Sequence, residues 1–271
     1  MYPKSELLSS LFSKYSIKTL GHGVREDKIG DVFEDYCVIL LSNPDLLKKS
    51  KLNSLNNSID EYVFSSLLKH FPNYLQIQKI EATNKIEHRY TGGNPKTDVI
   101  ADITYSNGKI ISFPISVKQT TVAKVAMAEF DVATIVREIG ITDKILIQLM
   151  EKHQTDASAK NFTDTEKAEL TTRLRPYKEK FVKWVVSGSP VDSENLKFPK
   201  VLLKFTLSKP VDENSLEEIE DINCFTIDEY VHSILYKPNG KPVSGGFETG
   251  LSWTYATGSK GRKNIIIVII I

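Results

Sequence analysis

The chain has 271 residues, of which 41% are hydrophobic and 25% charged, ordinary proportions for a soluble globular protein. Its 35 Lys and Arg residues nearly balance its 34 Asp and Glu residues, which excludes a strongly basic nucleic-acid-binding protein, so any basic surface must be local. The two cysteines, Cys37 and Cys224, form no C-x-x-C pair, which excludes a disulfide framework and a zinc site and predicts a cytoplasmic protein.

Neither end of the sequence predicts a membrane segment. The first residues lack the continuous apolar core of a signal peptide. The last residues, 264–271, read NIIIVIII, an apolar run far shorter than the ~20 residues of a membrane helix. We predict a buried strand there, with the charges of Lys260, Arg262 and Lys263 before it as gatekeepers against aggregation.

The first third of the chain predicts helices. Apolar residues recur three and four positions apart through 27–41, which predicts a long helix with Asp27 as its N-cap. Further helices are predicted at 5–15 and 59–71. Gly and Pro residues in the segment 91–95 then predict a loop.

Strands and helices alternate through the rest of the chain. Strands are predicted at about 98–105 and 109–118, followed by a helix over 122–139 that Gly140 ends. The later predictions are helices at 143–153, 164–187 and 226–236 and strands at 200–207 and 222–227. This mixture predicts one α/β domain with a central mixed sheet.

The hairpin formed by the first two predicted strands carries a carboxylate and a lysine. A two-residue turn would set Val99 opposite Ser116, whereas a three-residue SNG loop sets Val99 opposite Ile115 and suits a type I turn closed by glycine. Opposite residues of an antiparallel pair point to the same side of the sheet. The register of the three-residue loop, which pairs apolar residues with apolar residues, therefore also places Asp98, Ser116 and Lys118 on one face.

A carboxylate beside a lysine suits metal-dependent hydrolysis of a phosphodiester. Asp98 would hold Mg²⁺, which lowers the pKa of a bound water and stabilises charge on the phosphate. Lys118 would orient the attacking water or neutralise the developing charge. From the spacing alone a surface ion pair worth ~0–1 kcal/mol is the more common outcome, since the pattern is short and common.

Several blocks of sequence carry a wider resemblance. They are HGV (22–24), GGNPKTD (92–98), KVAMAEFDVATI (124–135), EKHQTDASAKNFT (151–163), RPYKEKFVKW (175–184) and TGLSWTYATGSKGRK (249–263). In these blocks the chain resembles the MspI-like type II restriction endonucleases of the PD-(D/E)xK nuclease superfamily. The resemblance implies a mixed sheet flanked by helices and Mg²⁺-dependent cleavage of double-stranded DNA. The implied target is CCGG, cut after the first C to leave 5′ overhangs.

The resemblance also implies roles for single residues. Asp98 matches the metal-binding aspartate, and Lys118 matches the catalytic lysine. Ser116 stands where MspI-like sequences have asparagine and the wider superfamily has Glu or Asp, so we expect it to be a weaker metal ligand. The Ile-rich tail also departs from the family pattern, because the MspI-like relative ends in polar and basic residues.

Glu129 is a candidate to compensate for Ser116. On the predicted helix over 122–139 it falls on the inward apolar stripe, where a buried carboxylate requires a cation or hydrogen-bond donors. It would then lie near the metal, or it would pair with an Arg or Lys of another element or lie at the edge of the stripe. Glu34 is a weaker candidate, with a solvated helix face as its expected position.

Two segments are predicted to contact DNA. The first leads from the catalytic strand into a helix N-terminus, whose N–H groups favour phosphate, and it offers Gln119, Thr120, Thr121 and Lys124. The second is a recognition segment over about 245–271, where hydroxyls can bond to phosphate and cations can read guanine. Its candidates are Thr254, Thr257, Ser259, Lys260, Arg262 and Lys263.

These observations predict a type II restriction endonuclease with a single domain over 1–271 and a catalytic hairpin at 95–119. A cognate DNA methyltransferase is expected in the same system, but not as a physical partner. Two alternatives stay open. One is a sequence-specific DNA-binding protein of the same fold whose catalysis is impaired by Ser116, and the other is a metal-dependent hydrolase of another phosphate ester.

Overall fold

The computed structural model describes residues 4–54, 58–120, 124–208, 218–255 and 265–270. In chain order its elements are α1 (Glu6–Lys14), α2 (His22–Leu41), α3 (Pro44–Lys51), α4 (Ile59–Leu68), β1 (Ile77–Thr83), β2 (Val99–Tyr105), β3 (Ile110–Thr120), β4 (Lys124–Phe130), α5 (Val132–Ile139), α6 (Lys144–Asp156), α7 (Asp164–Leu174), α8 (Lys178–Ser187), β5 (Val201–Leu207), β6 (Ile219–Thr226), α9 (Ile227–Leu235), α10 (Gly245–Glu248), β7 (Leu251–Tyr255) and β8 (Ile265–Ile270). None of the helices described is both long and apolar enough to cross a membrane.

The chain divides into two compact units. The first unit comprises Met1–Val122 and Glu194–Thr226, and the second comprises Ala123–Ser193 and Ile227–Ile271. The single endonuclease domain over 1–271 stays a prediction.

The first unit is built on a five-stranded mixed sheet in the order β1-β2-β3-β5-β6. Strand β3 lies at its centre, antiparallel to β2 and parallel to β5. One face of the sheet packs against α1, α2 and α4 in a continuous apolar core. At the centre of this core the rings of Phe33 and Phe205 lie 4.5 Å apart. The predicted α/β fold, with a mixed sheet and flanking helices, is confirmed.

The predicted register of the hairpin is confirmed as well. Val99 pairs with Ile115, as required for both side chains to reach the core. The loop is closed by hydrogen bonds from the Tyr105 N–H to the Lys109 carbonyl and from the Gly108 N–H to the Tyr105 carbonyl, both 2.9 Å. Gly108 has a φ of +81°, which is the left-handed conformation that this three-residue loop requires.

Helix α2 begins earlier than predicted, so the assignment of Asp27 as its N-cap is wrong. The cap is Gly21, in an extended conformation, and the helix continues from His22 to Leu41. Because Gly21 caps without a side-chain hydrogen bond, the usual polar N-cap signal is missing there. Asp27 lies inside the second turn.

The predicted helix over 122–139 is wrong in its first half. Residues Lys124–Phe130 form β4, and α5 begins only after Asp131, whose carboxylate accepts a hydrogen bond of 2.7 Å from the Thr134 N–H. The valine spacing fits a helical stripe, but β4 instead pairs along its length with the distant β8. Two predictions therefore fail: the helix N-terminus for phosphate binding, and the inward helical position of Glu129.

The second unit contains a three-stranded antiparallel sheet in the order β4-β8-β7. The strand predicted at the Ile-rich tail is confirmed as β8, the central strand of this sheet. The helix predicted over 164–187 is interrupted at Pro176, between α7 and α8, and the capping box of Thr163 and Glu166 opens α7. The buried ring of His153 contacts the ring of Trp253 at 5.4 Å between centroids, which fastens β7 to α6.

Candidate active site

The candidate site lies where β2 begins and β3 approaches its end. Asp98 immediately precedes β2, and its N–H donates to the Ile115 carbonyl at 2.9 Å, which continues the ladder by one residue. Ser116 and Lys118 alternate with the core residues Ile115 and Val117 along β3. Because successive side chains of a strand point to opposite faces, those of Ser116 and Lys118 lie on the side of the sheet away from the core.

The carboxylate of Asp98 is held by donors from three successive residues of β3. Its Oδ2 atom accepts hydrogen bonds from the Ser116 hydroxyl at 3.0 Å, the Val117 N–H at 2.7 Å and the Lys118 ammonium at 2.8 Å. Ser116 is buried, and the side chains of Asp98 and Lys118 are 19% and 33% exposed. This is a partly buried, charge-assisted cluster rather than a solvated surface pair.

Glu34 of α2 adds a second carboxylate to the neighbourhood of this cluster. The pKa of Glu34 is raised to about 7, mainly by burial and then by the negative charge of Asp98, while the charge of Lys118 opposes this shift. The expectation that Glu34 lies on a solvated helix face is therefore wrong. It directly follows the buried Phe33 and is itself half-buried, which the spacing of apolar residues along α2 does not reveal.

Lys96 is a site residue that the sequence analysis missed. Its pKa is lowered to about 8, mainly by burial and then by the charge of Lys118, while the charge of Asp98 opposes this shift. The ammonium of Lys96 therefore lies within electrostatic range of both residues. Its position two residues before Asp98, in PKTD, was the only sequence signal.

The donor set fits a magnesium ion. The residues described contain no cluster of three or more His, Cys, Asp or Glu side chains suited to a metal. Mg²⁺ does not need one, because it keeps several waters and takes only one or two carboxylates together with substrate phosphate oxygens. The charge of Asp98 disfavours ionisation of Glu34, and a bound cation would reverse that effect.

Five other predicted site residues have described positions. Gln119 and Thr120 follow Lys118 on β3, where Gln119 is half-buried and Thr120 is buried. Lys124 and Glu129 lie on β4, and Thr254 is exposed on β7. The remaining candidates lie outside the described residues: Thr121, Thr257, Ser259, Lys260, Arg262 and Lys263.

Comparison with known proteins gives consistent matches over nearly the whole chain. The family model described as restriction endonuclease MspI matches residues 13–268. The type II restriction enzyme MspI of Moraxella sp is 35% identical over 266 residues, which cover 96% of this chain and 98% of that enzyme. The type II restriction enzyme BsuFI of Bacillus subtilis is 25% identical, over 96% of this chain and 63% of that enzyme. A crystal structure of restriction endonuclease MspI in complex with its cognate DNA matches with a TM-score of 0.81 and 33% identity, over 97% of this chain and 99% of that one.

Proposed function

Because this chain belongs to the restriction endonuclease MspI family, we propose that it cuts double-stranded DNA at CCGG with Mg²⁺ as its cofactor. The chain is a type II restriction endonuclease, a site-specific deoxyribonuclease. Duplex DNA as its partner is supported by the related structure, which holds cognate DNA. The observation that carries the proposal is the 2.8 Å contact between the Asp98 carboxylate and the Lys118 ammonium.

The carboxylates of Asp98 and Glu34 would hold the ion, with Ser116 at the weaker ligand position. When bound, Mg²⁺ supplies a water of lowered pKa and stabilises negative charge on the phosphate. Ser116 has a second role that its own hydrogen bond supports: its hydroxyl donates to Asp98 and orients the carboxylate.

Lys118 acts on the phosphodiester directly. Its ammonium is already fixed by Asp98. Binding the scissile phosphate therefore costs little of the side chain's conformational entropy. A positioned cation stabilises the charge that develops on the phosphate oxygens during attack by water. Lys96 adds positive potential beside it, which favours the approach of a phosphate.

The remaining assignments extend this proposal to DNA recognition. Backbone and base contacts are proposed for Gln119, Thr120, Lys124, Thr254, Thr257, Ser259, Lys260, Arg262 and Lys263. The proposal places the enzyme in the cytoplasm. A cognate methyltransferase would protect the host DNA there without binding the endonuclease.

Digestion of plasmid DNA followed by sequencing of the fragment ends tests the proposed function. With Mg²⁺ we expect discrete fragments whose 5′ ends read CGG, because a cut after the first C of CCGG leaves that sequence. Discrete fragments with other ends would reject the CCGG target while keeping the enzyme class. Intact plasmid under Mg²⁺ and Mn²⁺ would contradict the nuclease activity.

The impaired DNA-binding protein is the second candidate, and the identity of Ser116 favours it. A hydroxyl committed to Asp98 is a poorer Mg²⁺ ligand than the amide of MspI-like sequences. In this case the protein would shift CCGG duplexes in a gel and leave them intact. Replacing Ser116 with asparagine would then restore cutting.

A further inference from the structure

The loop of residues 194–200, here called the flanking loop, runs beside the segment that leads into Asp98. The carbonyl of Lys197 accepts hydrogen bonds from the N–H groups of Lys96 at 2.9 Å and Thr97 at 3.2 Å. The amide of Asn195 donates to the Thr91 carbonyl at 3.2 Å. The backbone of Lys197 is thus fixed against the two residues before the catalytic aspartate.

Gly92 leaves the space that the ammonium of Lys197 occupies. A methyl group built on Gly92 would lie 2.8 Å from the Lys197 Nζ atom, so any side chain there would displace the ammonium. Gly92 also has a φ of +90°, which side chains disfavour. The ring of Phe198 supports the same ammonium from 4.8 Å.

Lys197 differs from its neighbour Lys200 in its charge partners. The ammonium of Lys200 lies 3.2 Å from a carboxylate oxygen of Glu194. Within the described part of the chain, Lys197 forms no ion pair with a carboxylate. Its positive charge is therefore positioned but not neutralised by an acid.

We propose that Lys197 binds a phosphate of the DNA backbone adjacent to the phosphodiester cut at Asp98 and Lys118, an inference that rests on the proposed function. Each DNA strand carries one negative charge per about 3.4 Å of helix axis, so a strand whose phosphodiester lies at Asp98 presents further phosphates nearby. Lysine is suited to such a contact as a point charge. A phosphate contact fixes the register of the duplex and carries no sequence information.

Salt-dependent binding measurements on Lys197→Met test this inference. Fluorescence anisotropy with Ca²⁺ in place of Mg²⁺ would follow binding to a CCGG duplex and to a scrambled duplex, each verified as uncut. We expect the variant to weaken both by the same factor and to reduce the slope of log K against log salt by about 1. Lys197→Arg should retain the slope of the wild type, and Lys69→Met, which alters an exposed lysine after α4, is the matched control.

A pair of glycine variants provides an independent readout. Gly92→Ala should displace the ammonium and reduce the salt slope, whereas Gly93→Ala, where an added methyl group meets no atom within 4 Å, should not. An unchanged slope in Lys197→Met would overturn the inference while the proposed function stands. If the wild type bound no duplex at all, the proposed function would fail and the inference with it.

Discussion

Replacing Asp98 with asparagine is expected to slow DNA cleavage by about 10³-fold or more, because the metal contributes several kcal/mol of transition-state stabilisation. Asparagine keeps the size of the side chain and an oxygen that can accept from Val117 and Ser116. It removes the negative charge that Mg²⁺ requires and that holds the Lys118 ammonium. We therefore expect a folded protein that binds duplex DNA and barely cuts it.

Single-turnover cleavage of a labelled CCGG duplex measures this effect. The matched control is Asp102→Asn, which makes the same change on β2, at a carboxylate paired with Arg89 at 2.8 Å instead of Lys118. That control should lose some stability but still cut DNA. A rate for Asp98→Asn within tenfold of the wild type would show that this carboxylate does not hold the metal.

Replacing Ile267 with proline is expected to destabilise the second unit by about 1–3 kcal/mol, the cost of a backbone acceptor left unsatisfied, and to abolish sequence-specific DNA binding. Ile267 lies on β8, where it pairs with Ala128 on one side and Trp253 on the other. Proline removes the backbone N–H of a central strand, where both edges are hydrogen-bonded to neighbouring strands and neither faces solvent. The strand β7, which lies within the proposed recognition segment, would lose its partner.

Thermal unfolding and gel-shift titration with a CCGG duplex measure these two consequences. Ile267→Val is the matched control, because it shortens the side chain and keeps the N–H. The role given to β8 would be contradicted if Ile267→Pro unfolded at the same temperature as the wild type and bound the CCGG duplex with the same affinity.

The hairpin could be predicted from the sequence because local signals agree there. The alternation of apolar and polar residues on both strands admits one register, and the SNG loop supplies the glycine that this register needs. The contact of Asp98 with Lys118 follows from that register. By contrast, the Val117 N–H that completes the cluster is a backbone group, and no residue pattern marks it.

The misassigned features depend on contacts distant in sequence. The valine spacing before Asp131 fits a helix equally well, and only the pairing of β4 with β8, more than a hundred residues later, selects a strand. Glu34 reaches the site because α2 packs on the sheet, which its own helix pattern does not reveal. In each case tertiary packing overrode a correct local pattern.

Whether Lys118 and Asp98 act on the same phosphodiester is tested most directly by single-turnover cleavage with Lys118→Met. At saturating enzyme and Mg²⁺ we expect this variant to bind the CCGG duplex and to cut it at least about 10²-fold more slowly than the wild type, because a positioned charge stabilises the transition state. A rate equal to that of the wild type at full occupancy would show that Lys118 serves only to pair with Asp98.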